Sequence, residues 1–432
     1  MRASGGTPPV GDLIERARRT FRALRHRNYR LFFVGQGLSL IGTWAQQVAM
    51  SWLTWRLTGS PFLLGVVAFS ANAGMLVLGT FAGVMVDRVD RRRALLLTQS
   101  LLMLQAVVLT TITYLGVVTV AHLVALALFL SVVQVFDVVL RQSSYVHFVG
   151  DRADLPNAIA LNSMMVNGAR VIGPALAGVV LAVTSEAVCF AINALSFLAV
   201  LASLLRMHWP AHSHATGGAG WWSSFVEGTR YTLGSASARA LLGLVALMSF
   251  TIVPYSSLMP IYAKVHFAGG PQTLGFLLSA AGGGALVAMV WLAGRRSVRG
   301  LGRVIAYASL ASGTALATFS HLDLFPLALA LMVPVGGGMT LAAAASNTIL
   351  QTIVDDRLRG RVAGFYTLAF LGVAPLGHVT AGAVAGAIGV QNAFLLNGLA
   401  CVLGGLVFLR ALPRLAAEIR PIYRRLGIVP DD

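Results

Sequence analysis

Twelve mostly apolar stretches divide the 432-residue chain, at about 31–55, 62–86, 94–116, 120–141, 158–183, 187–206, 239–262, 273–294, 301–320, 324–348, 361–387 and 392–411. A membrane-crossing helix needs roughly 20 such residues. The chain therefore reads as an all-α membrane protein with twelve transmembrane helices. Only 11% of its residues are charged, against about 25% in an average soluble domain. A soluble chain of this length could not bury its 57% of hydrophobic residues, so composition excludes a soluble enzyme, a nucleic-acid-binding domain and a disordered chain. The first stretch is too long for a cleaved signal peptide.

Charge sets the expected orientation. There are 32 basic and 15 acidic residues, a net +17. The arginines gather in the N-terminal segment (Arg16 to Arg27), the loop Asp87 to Arg93, the loop around Arg152, the middle segment, the loops Arg295 to Arg303 and Asp355 to Arg361, and the C-terminal tail. The alternate loops carry Arg56, Glu186, Lys264 and Asp323, which cancel. By the positive-inside rule both termini are expected to face the cytoplasm, and an even number of spans agrees with this. The expected domains are a cytoplasmic segment 1–30, a six-helix bundle 31–206, a cytoplasmic linker 207–238, a second bundle 239–411 and a tail 412–432. Within the first, Leu13, Ile14, Ala17, Phe21 and Leu24 recur at helical spacing among arginines, which predicts an amphipathic helix on the inner leaflet. His208, His212 and His214 in the linker read as part of a flexible connection rather than a metal site.

Several chemistries find no support. The sole lysine, Lys264, lacks the Gly before it and the Ser/Thr after it that a P-loop needs. Cys189 and Cys401 lie in apolar runs and offer neither a disulfide framework nor zinc spacing. No metal site and no cofactor are expected. His378 is the histidine deepest in a span and no Glu accompanies it, poor ground for catalysis. The chain is not expected to be an enzyme.

Internal repetition points to transport. Pro61-Phe-Leu-Leu64-Gly65 matches Pro271-Gln-Thr-Leu274-Gly275, Phe190-x-x-Asn193 matches Phe394-x-x-Asn397, and Asp151-Arg152 matches Asp356-Arg357. Two parallel six-helix halves are a secondary-transporter architecture, with the cavity at the repeat interface.

The loop after the second run reads Gly83-Val-Met-Val-Asp87-Arg88-Val-Asp90-Arg91-Arg92-Arg93. It resembles the signature loop of the major facilitator superfamily, with Asp90 where glycine is usual. Further stretches resemble the enterobactin-exporter and macrolide-efflux (transmembrane secretion effector) branch: Leu24-Arg-His26-Arg27-Asn28-Tyr29-Arg30, Gly42-Thr43-Trp44, Leu155-Pro-Asn157-Ala158 and Arg170-Val-Ile-Gly173-Pro174. The resemblance spans residues 21 to about 411. It implies two pseudo-symmetric six-helix bundles in a bacterial inner membrane and export of a drug-like amphiphile or siderophore by alternating access, with proton antiport. The expected partners are the small-molecule substrate, protons and the bilayer, with no nucleic acid and a monomeric chain. Alternatives are an importer or lipid flippase of the same fold, or a transport-dead receptor or scaffold.

The site residues follow. Gly83, Asp87, Arg88, Arg91, Arg92 and Arg141 are expected to gate, Asp87 facing the start of the eleventh helix and Arg91 pairing with an acid at the end of the fourth. Asp137 and Arg170 are charges deep in apolar runs, where each costs about 2.5–3.5 kcal/mol or more unless paired or hydrated. Folding the chain back near Asp151 predicts an ion pair or shared cavity between them, with Asp137 to Arg141 at i, i+4 as the competing pair. Both are candidates for proton coupling. In this fold helices 1, 4, 7 and 10 line the cavity, which makes Trp44, Gln46, Gln47, Gln134, Tyr255 and Asn347 substrate candidates, with Asn72 and Tyr366 beside them. Gly79/Gly83 and Gly382/Gly386 are expected to let the second and eleventh helices approach; Gly168, Gly173 and Gly178 face Gly282, Gly283 and Gly284 likewise. Pro254, Pro260 and Pro334 are expected kinks.

Overall fold

The computed structural model describes residues 21–86, 89–209, 229–230, 232, 234–295 and 297–428. Most of the expected amphipathic segment, and His212 and His214, lie outside them. Twelve long helices follow in order: α1 (Arg27–Thr58), α2 (Pro61–Val86), α3 (Arg91–Tyr114), α4 (Val120–Phe148), α5 (Leu155–Val183), α6 (Glu186–Arg206), α7 (Ala236–His266), α8 (Pro271–Ala293), α9 (Leu301–Phe319), α10 (Phe325–Ile353), α11 (Leu358–Ile388) and α12 (Val390–Arg425). Ten are long and apolar enough to cross a membrane. The other two, α1 and α9, carry more polar residues, and Gln36, Gln46, Ser309 and Ser312 among these are buried.

Local chemistry sets the helix ends. Pro61 and Pro271 open α2 and α8, where a missing N–H costs nothing. Asp90, the departure from the signature loop, caps α3 by accepting from the Arg93 amide at 2.8 Å. Gly59 ends α1 at φ +59°, the left-handed turn that glycine tolerates best. At the opposite end of α1, Ala23 donates its amide to Asn157 Oδ1 at 2.8 Å, and Tyr29 donates to the Ala158 carbonyl at 2.7 Å. The two stretches Leu24–Arg30 and Leu155–Ala158 thus dock on each other.

α7 and α11 are interrupted. α7 breaks at residues 252–254, where Pro254 stands, and its second part ends in a π-turn at Tyr262–His266. α11 contains a π-turn at Leu368–Gly372. π-turns inside helices commonly mark functional bends. α10 runs through Pro334 as one helix.

The halves repeat one packing scheme. α2 lies along α4 as α8 lies along α10, and α3 lies along α6 as α9 lies along α12. Between the halves, α5 packs on α8 and α2 on α11. These contacts concentrate on the face remote from the start of α1 and the end of α12, hereafter the far face. There a Cβ on Gly65 would overlap the His378 carbonyl oxygen, and one on Gly275 would lie 2.5 Å from the Pro174 carbonyl oxygen. Ser279 donates to the Val171 carbonyl at 2.7 Å.

The expected glycines are corrected in part: Gly178 meets Gly275 and Gly282 meets the Arg170 carbonyl across the α5–α8 contact, whereas Gly173 packs on Trp44 of α1. α2 meets α11 through Gly65 and Gly382. Gly79 approaches only Met75 of its own helix, and nothing stands near Gly168, Gly283 or Gly386. Gly284 faces Val333 of α10, within its own half. Small residues recur at similar spacing along these helices, but only those at the depth where the axes converge are in contact.

Candidate functional site

A cavity of about 420 Å³ opens in the first bundle. Its walls come from α1 (Trp44, Gln46, Gln47), α2 (Asn72), α4 (Gln134, Arg141, Gln142, Tyr145) and α5 (Asn162, Val166). The lining runs from mid-depth toward the face bearing the start of α1, the terminal face. Expected residues Trp44, Gln46, Gln47, Asn72 and Gln134 therefore line one cavity. Tyr255, Asn347 and Tyr366 do not line it. Tyr255 is buried on α7, Asn347 is half-buried on α10, and Tyr366 donates to the Ala343 carbonyl at 3.0 Å while stacking on Phe370.

Gln46 also joins the cavity to the core. It donates to Gln105 Oε1 at 3.0 Å and accepts from Asn193 at 2.8 Å. The Asn193 of the internal repeat therefore anchors α6 to α1. Asn72 donates within α2, to the Ala68 carbonyl at 2.9 Å.

Asp137 is 2% exposed. One oxygen receives Arg141 Nε at 2.8 Å. The other accepts from Thr98 at 3.0 Å and Gln99 at 2.7 Å. The predicted pair with Arg170 does not form; the i, i+4 alternative does. Asp137 faces α3, whereas Arg170 faces α1 and α7. The Arg170 guanidinium stands 5.6 Å from the Trp44 ring centroid and beside the Tyr255 hydroxyl, with no ion pair among the described residues. A desolvated cation–π contact is worth about 2 kcal/mol, enough to offset much of the cost of a charge at that depth. Thr98 and Gln99, which hold Asp137, were not among the residues expected from sequence. Their signal was two adjacent polar residues inside the third apolar run.

The loop expected to gate is only partly described. Asp87 and Arg88 lie outside the described residues, and Gly83 lies within α2. Arg91 reaches α4, but its acceptors are the Ser143 carbonyl at 3.3 Å and His147 Nε2 at 2.5 Å. The expected acid is replaced by a carbonyl and an imidazole, because α4 ends without a carboxylate. Arg92 donates to the Leu205 carbonyl at 3.4 Å.

A second charged cluster fixes the terminal face. Asp154, 1% exposed, receives Arg22, Arg25 at 2.7 Å and His26 at 2.8 Å. The His26 hydrogen bond, then the Arg22 and Arg25 charges, hold its carboxyl below the ordinary carboxylate value, against the opposing effect of burial. A carboxyl with a lowered folded pKa stabilises above its unfolded value, about 3.9, and stops doing so as pH falls through the folded one. Asp154→Asn should therefore lower the thermal midpoint above about pH 5, and the gap to wild type should close below about pH 4. A gap independent of pH would refute the charge cluster as its cause.

With this geometry the comparisons can be placed. The family model described as transmembrane secretion effector matches residues 18–423. The staphyloferrin A transporter of Staphylococcus aureus is 22% identical over 382 residues, covering 88% of this chain and 95% of that protein. The multidrug efflux pump Tap of Mycobacterium tuberculosis is 29% identical over 406 residues, 92% of each chain. Among solved structures, a bacterial homologue of the human lysosomal transporter Spinster, inward-facing and unoccupied, has a TM-score of 0.69 at 13% identity, covering 96% of this chain and 99% of that one. The nucleoside transporter NupG has a TM-score of 0.71 at 13% identity, with 89% and 99% covered. The structural likenesses establish the fold and the family match establishes kinship: the chain belongs to the transmembrane secretion effector family of major facilitator transporters, and is a multi-pass membrane transporter.

Proposed function

We propose that this transporter exports a small organic molecule, a drug-like amphiphile or a siderophore, by alternating access with proton antiport. The observation that carries the reading is the cavity itself. It is lined by amides, two aromatic rings and Arg141, the arginine of the Asp137 ion pair, and it lies in a fold whose halves meet at the far face. Amides and aromatics with few net charges suit a large amphiphilic ligand. With the termini in the cytoplasm of a bacterial inner membrane, as the arginine distribution favours, this arrangement is the inward-facing one. Ligand enters from inside and leaves after α2–α11 and α5–α8 part at the far face. Proton coupling is assigned to Asp137, which must shed Arg141 or its α3 donors to accept a proton. Arg170, between Trp44 of one half and Tyr255 of the other, marks the closed end and would be freed when the halves separate. The relative named a multidrug efflux pump supports the direction, and it and the staphyloferrin A transporter support the ligand class.

The test is survival of an efflux-deficient bacterial host on a panel of toxic amphiphiles and siderophores, with and without an uncoupler. Protection that the uncoupler abolishes is the expected result. Protection that persists with the uncoupler overturns proton antiport. Protection against no compound, coupled with accumulation of any of them inside the cell, overturns export.

A further inference from the structure

A second cavity, of about 620 Å³, stands apart from the one just discussed. It lies in the second bundle, at the terminal face, between the start of α7, the α8–α9 turn, α9, α10 and the end of α12. Its interior is apolar, with Leu241, Ile349, Phe408, Leu412 and Ile419 among the lining residues. Three guanidinium groups border it, those of Arg299, Arg303 and Arg420. All three residues are exposed, and none forms an ion pair among the described residues. The nearby carboxylate, Glu418, is occupied by the Ser235 and Ser237 hydroxyls at 3.1 and 2.9 Å and by the Ser237 amide at 2.9 Å.

The last helix makes this cavity. Its apolar run was expected to end at 411, yet α12 continues to Arg425. In the extension Leu412, Leu415, Ala416, Ile419 and Tyr423 recur at helical spacing, and all five line the cavity. The apolar face of an interfacial helix is thus turned over a space of ligand size, within the about 300–1,000 Å³ of small-molecule sites. Water gains little in such a space because it lacks polar partners there. The occupant must be apolar along most of its length and anionic at one end. At a membrane face that combination describes a phospholipid, and basic pockets between helix ends recognise anionic head groups.

We propose that this cavity binds an anionic phospholipid from the adjoining leaflet, its acyl chain within and its phosphate among Arg299, Arg303 and Arg420. The site stands apart from the transport cavity, so it does not depend on what the protein exports. Bound lipid would tie the end of α12 to α7 and α9.

The test uses the purified full chain in a neutral detergent. Its thermal midpoint is followed while phosphatidylglycerol, phosphatidylcholine or glycerol phosphate is added. Phosphatidylglycerol should raise the midpoint with concentration, as any ligand of the native state does, and the other two should not. Arg303→Gln/Arg420→Gln should need at least about tenfold more phosphatidylglycerol for the same rise. Ala416→Trp, which fills the cavity and leaves the arginines, should lose the response as well. Arg414→Gln/Arg425→Gln removes the same charge from positions that do not line the cavity, and should respond as wild type. An equal rise with phosphatidylcholine would overturn the proposal. So would a full rise with glycerol phosphate alone, which would indicate a soluble anion. A response unchanged in Ala416→Trp, or lost equally in Arg414→Gln/Arg425→Gln, would also overturn it.

Discussion

Asp137→Ala is expected to cut the yield of folded protein sharply, and Asp137→Asn/Arg141→Gln to restore it. In the native chain Arg141 is 15% exposed and its partner carboxylate is 2% exposed. Removing one member of such a pair leaves the other charge uncompensated, at a cost of about 3–5 kcal/mol. That is a large part of the roughly 5–15 kcal/mol that holds a typical domain folded. Removing both charges avoids the penalty, and the amide at 137 can still accept from Thr98 and Gln99. Thermal midpoint and monodisperse yield measure the first effect. The double variant then separates structure from coupling. If Asp137 carries the proton, the double variant folds but shows no uncoupler-sensitive export. Wild-type export from a folded double variant would leave Asp137 a structural charge only.

How much of this was legible in advance depends on the kind of information required. Helix number and order follow from composition, because a bilayer demands about 20 apolar residues for each crossing. The end of α12 did not follow, because its extension is amphipathic, with charged residues interrupting the apolar face it turns over a cavity. The site was legible as a set of polar residues at mid-depth, and five of the eight proposed cavity residues line one cavity. The rest required the rotation of each helix about its axis. Chain reversal near Asp151 places Asp137 and Arg170 at similar depth, yet Asp137 turns toward α3 and Arg170 toward α1 and α7. Adjacency in sequence gave depth and no azimuth. The i, i+4 pair with Arg141 needed no such knowledge, since helical geometry alone brings those side chains together.

Gly65→Leu is expected to bias the transporter toward the state open at the far face, while Gly386→Leu leaves it unchanged. Both glycines lie on helices that pass between the halves, and sequence pattern alone favoured Gly386, in the Gly382-x-x-x-Gly386 motif. The structure reverses that choice. A Cβ at 65 meets the His378 backbone carbonyl, which no rotamer change can move, whereas nothing stands within 4 Å of one at 386. The clash lies where α2 and α11 close the far face, so separating those helices relieves it. Overpacking of this kind costs about 1–3 kcal/mol, equivalent to a shift of about 5–150-fold in a two-state equilibrium. Gln142, exposed and on the terminal side of the cavity wall, reports the change. Modification of Gln142→Cys by a water-soluble maleimide should slow when Gly65→Leu is added, and export should fall by a similar factor. Unchanged labelling with intact export would refute the α2–α11 contact as the far gate. Equal effects from Gly386→Leu would return the gate to the motif.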